Sequence, residues 1–453
     1  MKWQDKYRDK LITARQAAGL VTSGSDVLFA MMDQPKDIIL EIAKRCGELE
    51  NVTLTSHWVE DFPFLHPSKY PEMEKTFHIK DPMTLRSTRE EVRNKKIDWQ
   101  PTVFGLSNGD RQECVDRGRL YHHKDFFFFK LTTPDANGRC SFGPYPWYTP
   151  TACRTAKVKI VEIDPRLTWV NGEYVNLDDI DYLVEAPEAE ELRGKENLGL
   201  TPTPEEWEVS QVIGANAASL IKDGDTVQIG VGTAAEAIMA FMAEKNDLGI
   251  DSEVIYSQTI DLVKRGVITG RKKTHDTGKV ASANLQLYGP DKPESIASLE
   301  YVRENPKFLF RDISTQCHVP RIAAQDNMVA INNILSVDLL GQIVLTHLGT
   351  TPITGPGGQV DFCIGAHYSK GGRSISMLKS TALDGKVSRI VPKFEAGTVI
   401  MIPMVYLDYL VTEYGIANLD CKSRRERAEA IISVAHPDFR DELKQAAREM
   451  FYP

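Results

Sequence analysis

The sequence predicts an α/β protein of two tandem open α/β domains, because one order of elements occurs twice along it. Residues 23–40 consist of a turn, an apolar strand, a loop and an amphipathic helix, and residues 222–240 repeat that order. A duplicated α/β domain is the economical explanation. Between the copies, residues 186–206 are rich in Pro and Glu, which is typical of a linker. We therefore predict an N-terminal domain of residues 1–200 and a C-terminal domain of residues 201–453.

Short apolar runs elsewhere in the chain predict further strands. In the first half these are residues 125–131 and 157–163, and the second run is stopped by Asp164-Pro165. In the second half the predicted strands are 387–391, 399–402 and 407–412, and the predicted amphipathic helices are 424–435 and 438–450.

Composition and charge exclude several classes of function. The chain has 453 residues and a net charge of −9, so nucleic acid is not an expected partner. The 7 cysteines are scattered and form no Cys-x-x-Cys pair, which favours a reducing cytoplasm over a disulfide framework or a zinc ribbon. No stretch of about 18 apolar residues predicts a membrane span. The start of the chain has no apolar signal-peptide core. The histidines form no metal motif, so we predict no metal.

The first candidate binding segment follows the predicted strand 226–229 and opens a helix. It consists of Gly230, Val231, Gly232, Thr233 and Ala234. Such a turn offers helix N-terminal N–H groups to an anion, and it also satisfies the loose Gly-x-Gly-x-x-Ala form of a dinucleotide fingerprint. From local sequence alone, a phosphate or NAD loop and a turn without a ligand remain equally open.

The second candidate segment is residues 355–362, where three glycines and a proline stand within four positions. Successive free N–H groups in such a turn can bind an oxyanion or a phosphate, although a plain tight loop is also possible. Downstream, Lys370 and Arg373 flank a second Gly pair. That arrangement is either a cradle for CoA phosphates or an ordinary surface loop.

Glu253 is the candidate nucleophile. A carboxylate suits acyl transfer, because its mixed anhydride stays as reactive as the thioester that it replaces. The pattern places Glu253 just after an apolar helical stretch. The alternative is a solvated surface carboxylate, which is common in an acidic protein.

These segments together give a resemblance to a known family. The chain resembles the acetyl-CoA hydrolase/transferase family, within the class I CoA-transferases that include 4-hydroxybutyrate CoA-transferase. The stretches that carry the resemblance are, in chain order, residues 134–143, 227–232, 326–332, 337–342, 357–362, 411–417 and 435–439. Matches in this order over nearly the whole chain outweigh the NAD interpretation.

The resemblance implies an acyl-CoA:carboxylate CoA-transferase with ping-pong kinetics and CoA as a substrate, not as a permanently bound cofactor. Glu253 would form the acyl-glutamyl anhydride and the glutamyl-CoA thioester, and the backbone of Gly358 would hold the oxyanion. The implied CoA-binding residues are Gly230, Val231, Gly232, Thr233, Ala234, Gly357, Gly358, Gln359, Lys370 and Arg373. The implied fold is two tandem open α/β domains of the NagB/RpiA/CoA-transferase-like type, with the active site in the cleft between them. A homodimer is implied by the same analogy. An acyl-CoA hydrolase with the same nucleophile and a non-catalytic CoA-binding subunit remain alternatives.

The chain also departs from the family at positions near the expected site. Asp251-Ser252-Glu253 stands where His-Thr-Glu or His-Ser-Glu is usual, and Cys317 stands where an asparagine is typical. The positions at which larger or less polar groups replace the usual ones give the candidate substrate pocket, which consists of Cys317, Met404, Tyr145 and Trp147. We therefore expect a substrate pair other than acetate and 4-hydroxybutyrate, although the sequence does not identify the donor or the acceptor.

Overall fold

The computed structural model describes residues 2–107, 123–187, 202–287 and 292–452 of the chain. The chain divides into two compact units. Unit 1 consists of Met1–Gly199, Ala281–Gln316 and Pro352–Gly355, and unit 2 consists of Leu200–Val280, Cys317–Thr351 and Pro356–Pro453. The predicted linker lies largely outside the described residues, and the division into domains 1–200 and 201–453 remains a prediction.

The strands of the described residues are named in chain order. They are β1 Asp26–Phe29, β2 Val52–Thr55, β3 Phe77–Asp81, β4 Asp98–Trp99, β5 Phe126–Leu131, β6 Arg139–Ser141, β7 Val158–Ile163, β8 Tyr174–Asn176, β9 Tyr182–Glu185, β10 Thr226–Ile229, β11 Gly249–Tyr256, β12 Val280–Gln286, β13 Phe308–Phe310, β14 Met328–Asn333, β15 Ser336–Asp338, β16 Ile343–Val344, β17 His347–Leu348, β18 Thr351–Pro352, β19 Arg373–Met377, β20 Thr381–Ala382, β21 Val387–Ser388, β22 Ile390–Val391, β23 Tyr409–Thr412 and β24 Gly415–Asn418.

The α-helices of the described residues are named in the same way. They are α1 Trp3–Lys6, α2 Ala14–Gly19, α3 Lys36–Ala43, α4 Pro71–Thr76, α5 Arg89–Arg93, α6 Phe104–Ser107, α7 Thr149–Thr155, α8 Pro204–Ser219, α9 Thr233–Met242, α10 Ser257–Lys264, α11 Pro293–Val302, α12 Ile313–Gln316, α13 Val319–Ala323, α14 Gln359–Tyr368, α15 Arg424–Ser433 and α16 Arg440–Phe451. Short 3-10 helices occur at Arg8–Lys10, Pro63–Leu65, Arg86–Thr88, Leu177–Asp179, Met404–Tyr406 and Pro437–Phe439. None of the helices in the described residues is long and apolar enough for a membrane crossing.

Unit 1 contains a seven-stranded sheet in the order β4-β3-β2-β1-β5-β7-β9, and every neighbouring pair is parallel. Parallel strands are covered on both faces and therefore tend to be continuously apolar. The run of four phenylalanines in β5 follows this rule, and three of the four are fully buried. The strands predicted at 125–131 and 157–163 are therefore confirmed as β5 and β7.

Unit 2 contains the strands β11-β10-β14-β19-β23-β24, in this order across its sheet. β10 pairs in parallel with β11 and with β14, and β19 pairs in parallel with β14 and with β23, whereas β23 and β24 are antiparallel. Val227, Val329 and Arg373 lie side by side toward the amino ends of their strands. Ile229 and Ile331 lie side by side toward the carboxyl ends. The carboxyl edge of such a sheet is where ligands of open α/β proteins usually bind.

Most of the elements expected in the second half are present. The repeated strand–loop–helix pattern is confirmed by β1 with α3 and by β10 with α9. The strand predicted over 399–402 is wrong, because Ile402 makes only an isolated bridge with Ile343. The strand predicted over 387–391 is divided into β21 and β22, which pair with different partners.

Candidate active site

Glu253 lies in the middle of β11, so the expectation that it follows a helix is wrong. The strand is buried along its whole length, and Glu253 is 7% exposed. Two other side chains of β11 attach the strand to the carboxyl end of β10. Ser252 Oγ accepts a hydrogen bond from the Ile229 N–H at 3.2 Å, and the Tyr256 hydroxyl donates to the Gly230 carbonyl oxygen at 2.8 Å.

Gly358 meets the Glu253 carboxylate directly. It is the N-cap residue of α14, and its backbone N–H donates a hydrogen bond to the carboxylate. A Cβ at Gly358 would overlap that carboxylate and lie 2.7 Å from Cys317 Sγ. Glycine is therefore required by the close approach of the two groups. The neighbouring Gly357 has φ +58, and a Cβ there would lie 3.3 Å from Glu253 Oε1.

Burial makes the Glu253 carboxyl group a weaker acid than an ordinary glutamate side chain. Loss of solvation raises the pKa of Glu253 to about 7, and the hydrogen bond from Gly358 acts in the opposite direction. The positive end of the α14 dipole also faces this carboxylate. A carboxylate with a raised pKa is more basic and hence a better nucleophile, while remaining substantially ionised at neutral pH.

The loop Gly230–Ala234 lies at the same edge of the sheet. Thr226 pairs with Gly249 and Val227 with Ile250, so the same register, when extended, brings Gly230 level with Glu253. The loop ends at Thr233 and Ala234, the first residues of α9.

Two asparagines that the sequence analysis missed shape this loop. Asn333 Nδ2 donates to the Val231 carbonyl oxygen at 3.0 Å, and a Cβ at Gly232 would collide with that amide group. Asn332 exchanges two hydrogen bonds with Gln228, at 2.9 and 3.0 Å. The two glycines of the loop therefore have a packing role, whether or not a ligand binds there.

Three predicted residues lie toward the opposite, amino edge of the sheet. Arg373 begins β19, pairs with Asp225 and donates to the Leu220 carbonyl oxygen. Lys370 precedes that strand, and its exposed ammonium group lies 3.9 Å from an Asp326 oxygen. Met404 precedes β23 and is 39% exposed. Four residues of strand separate the two edges, a distance of about 13 Å.

The remaining two candidate pocket residues belong to unit 1. Trp147 is 4% exposed, has φ +42, and its ring lies 5.7 Å from the Phe104 ring, centroid to centroid. Tyr145 precedes it by two residues and is half-buried.

A second polar cluster, which no sequence motif predicted, begins at Asp251, two residues before Glu253 on β11. Asp251, His275 and Asp276 are close enough to hold a metal ion. However, the Arg321 guanidinium binds both carboxylates, and the Lys273 ammonium lies 3.4 Å from Asp251. Side-chain cations thus already neutralise the acidic groups. The absence of a metal remains a prediction.

Comparison with known proteins assigns the family. Residues 1–190 match the acetyl-CoA hydrolase/transferase N-terminal domain, and residues 297–447 match the corresponding C-terminal domain. The chain belongs to the acetyl-CoA hydrolase/transferase family. It is 34% identical to the 4-hydroxybutyrate coenzyme A transferase of Clostridium kluyveri over 100% of both chains. It is 30% identical to the succinyl-CoA:cyclohexane-1-carboxylate CoA transferase of Geobacter metallireducens, over 99% of this chain and 97% of the other.

A solved structure shows the same fold. RipA from Yersinia pestis superposes with a TM-score of 0.84 at 28% identity, covering 100% of both chains. The predictions of the family, of the two-domain α/β fold class and of an enzyme of the CoA-transferase type are thereby confirmed. The family includes both transferases and hydrolases.

Proposed function

We propose that the protein is an acyl-CoA:carboxylate CoA-transferase that works by a ping-pong mechanism through Glu253. The observation that carries this proposal is the buried carboxylate of Glu253 with the Gly358 N–H bound to it. Burial makes this carboxylate a stronger nucleophile, and the N–H group fixes its direction.

The proposed reaction proceeds in covalent steps. A Glu253 oxygen attacks the thioester carbonyl carbon, and the electron pair of the carbonyl moves to its oxygen. When this oxyanion collapses, the C–S bond breaks, CoA leaves as a thiolate and an acyl-glutamyl anhydride remains. The thiolate then attacks the glutamyl carbonyl, releasing the donor carboxylate and leaving a glutamyl-CoA thioester. An acceptor carboxylate reverses these two steps and leaves as the new acyl-CoA.

Gly358 is the proposed oxyanion donor. Its N–H group already reaches the attacking carboxylate, so an oxyanion formed by that attack develops close to the same donor. Because the N–H is part of the backbone and caps α14, it needs no reorganisation when the charge appears.

The loop at the carboxyl edge is the proposed place for the pantetheine arm. Gly230–Ala234 lies level with Glu253, and Gly357, Gly358 and Gln359 form the turn that opens α14. Cys317 remains the proposed wall of the acyl pocket beside the nucleophile. Arg373, Lys370 and Met404 are left out of the proposed site, because they lie toward the other edge.

The burial of Glu253 favours transfer over hydrolysis. The anhydride and the glutamyl thioester would both form on a side chain that is 7% exposed, where water has little access. Tyr145 and Trp147 as pocket residues, a substrate pair other than acetate and 4-hydroxybutyrate, a homodimer and a cytoplasmic location all remain predictions.

An isotope-transfer experiment tests this function. The enzyme is incubated with acetyl-, butyryl-, 4-hydroxybutyryl-, succinyl- or benzoyl-CoA and a carbon-13-labelled carboxylate. We expect labelled acyl-CoA, parallel double-reciprocal plots and loss of at least about a hundredfold in turnover for Glu253→Gln. The matched control is Glu91→Gln, which removes a buried carboxylate of unit 1 that accepts hydrogen bonds from Ser68. Release of free CoA without labelled acyl-CoA would identify a hydrolase instead.

A further inference from the structure

Arg321 lies near the nucleophile and makes several polar contacts there, but it has no part in the reaction proposed above. Its guanidinium donates to both Asp251 oxygens, at 3.0 and 3.1 Å, in a bidentate pair. It also donates to Asp276 and to His275 Nδ1, and His275 Nε2 lies 3.0 Å from the Arg321 carbonyl oxygen. Asp251 is 2% exposed, so this pair is strong, directional and screened little by solvent.

The first contact of interest joins Arg321 to the strand that carries the nucleophile. Asp251 precedes Glu253 by two residues on β11, and alternate residues of a strand point to the same side. The bidentate pair therefore fixes α13, which carries Arg321, against β11 on the side to which Glu253 points.

The second contact joins α13 to α14. A Cβ at Gly365 would lie 2.5 Å from Ile322 Cβ and Cγ2 and 3.4 Å from the Val319 carbonyl oxygen. The two helices can approach this closely only because position 365 is glycine. Gly365 is seven residues after Gly358, about 10 Å along the helix.

The third contact joins α14 to β11. Gly358, at the start of α14, donates its N–H to Glu253 on β11. Cys317, two residues before α13, lies against the same point. Three pairwise contacts thus join β11, α13 and α14 in a triangle. The contact between β11 and α14 is the one that contains the nucleophile and its N–H donor.

We propose that Arg321 is a positioning residue, whose pair with Asp251 sets the distance between the Gly358 N–H and the Glu253 carboxylate through α13 and α14. The inference rests on the proposed function, in which Glu253 is the nucleophile. Without the pair, α13 and α14 lose their attachment to β11, and the donor and the carboxylate separate. Misplacement by about 1 Å can reduce a rate by about a hundredfold.

The test is a pair of charge-neutral double variants. Asp251→Asn with Arg321→Met removes the pair and one charge of each sign. Lys273 loses its ionic partner Asp251 but still donates to the Ile250 and Lys279 carbonyl oxygens, at 2.9 and 3.2 Å. Asp164→Asn with Arg166→Met removes the bidentate pair of unit 1, whose two bonds are 2.8 and 2.7 Å long. Both variants are mixed with the acyl-CoA that gives the wild type its fastest turnover, and quenched samples are followed by mass spectrometry for CoA attached at Glu253.

We expect the first variant to form the Glu253 adduct about 10- to 100-fold more slowly, with a change in KM of no more than about twofold. We also expect the acid limb of its kcat/KM profile to move to higher pH, because the carboxylate loses a donor. The control should lose thermal stability but keep the wild-type rate and pH profile. Arg321→Lys should recover part of the rate.

Gly365→Ala disturbs the contact between α13 and α14 without changing a charged group. It provides a second test if the double variant fails to fold. It should slow adduct formation and move the pH profile in the same direction. If the wild type forms the Glu253 adduct and both site variants form it at rates within twofold of the control, the proposed role of Arg321 is overturned. A wild type that forms no adduct at Glu253 would overturn the proposed function, and the inference with it.

Discussion

At the scale of single residues, the chemistry depends on the acidity of one carboxyl group. Burial raises the pKa of Glu253 from an ordinary 4.5 to about 7. The reacting form is the carboxylate, so protonation removes the nucleophile. We expect kcat/KM to rise about tenfold per pH unit below pH 7 and to level off above it. A pantetheine thioester, which lacks the phosphates of CoA, separates this ionisation from that of the substrate. A profile that is flat between pH 5 and 8 would contradict the assignment.

We expect the same ionisation to make the stability of the folded protein depend on pH. The folded-state pKa of Glu253 is raised above the unfolded-state value, so its contribution is fully present below about pH 4.5 and is lost as pH rises toward 7. Glu253→Gln removes this dependence. The variant should therefore match the wild type in thermal midpoint near pH 4.5 and exceed it near pH 8.

The motifs of the family that the chain resembles, and the departures from them, pointed to Glu253, Gly358 and Cys317, which the structure brings together. They did not identify Arg321, because it reaches Asp251 from 70 residues away in the chain and no local pattern records that pairing. Lys370 and Arg373 were grouped with the glycine loop because they are close to it in sequence. The direction of the strands, however, places them at the other edge of the sheet.

At the scale of elements, the strand β11 was missed because of its polar residues. Asp251, Ser252 and Glu253 interrupt the apolar pattern of a buried strand, and such residues are disfavoured there unless each is bound. In the folded chain each one is, by Arg321, by Ile229 and by Gly358 respectively. The strands β5, β7 and β10 were predictable, because their apolar runs are short and are bounded by turn residues.

The contact between the start of α14 and β11 yields a prediction at the same scale. Gly358→Ala places a methyl group where the Glu253 carboxylate lies, so the helix start and the strand must move apart. We expect turnover to fall at least about a hundredfold while the protein still folds, as checked by circular dichroism. Gly19→Ala is the matched control, because a Cβ at Gly19, in α2, meets nothing within 4 Å. Activity of Gly358→Ala within twofold of the wild type would refute the required close approach.

At the scale of the whole molecule, the α/β class followed from a repeated pattern that both units retain. β1 with α3 and β10 with α9 have the same order, and β1 and β10 each lie between two parallel neighbours. The boundaries of the compact units were less predictable. Residues 281–316 and 352–355 belong to unit 1 although they follow the start of unit 2, and a composition shift near residue 200 does not reveal such returns of the chain.

The central claim is that Glu253 carries CoA covalently during turnover. An intact-mass spectrum after incubation with the acyl-CoA panel, followed by peptide mapping, tests it most directly. We expect a CoA-sized adduct on the peptide that contains Glu253 in the wild type and in Glu91→Gln, and no adduct in Glu253→Ala. A CoA adduct on another residue, or turnover of the wild type with no covalent adduct under any donor, would contradict the account.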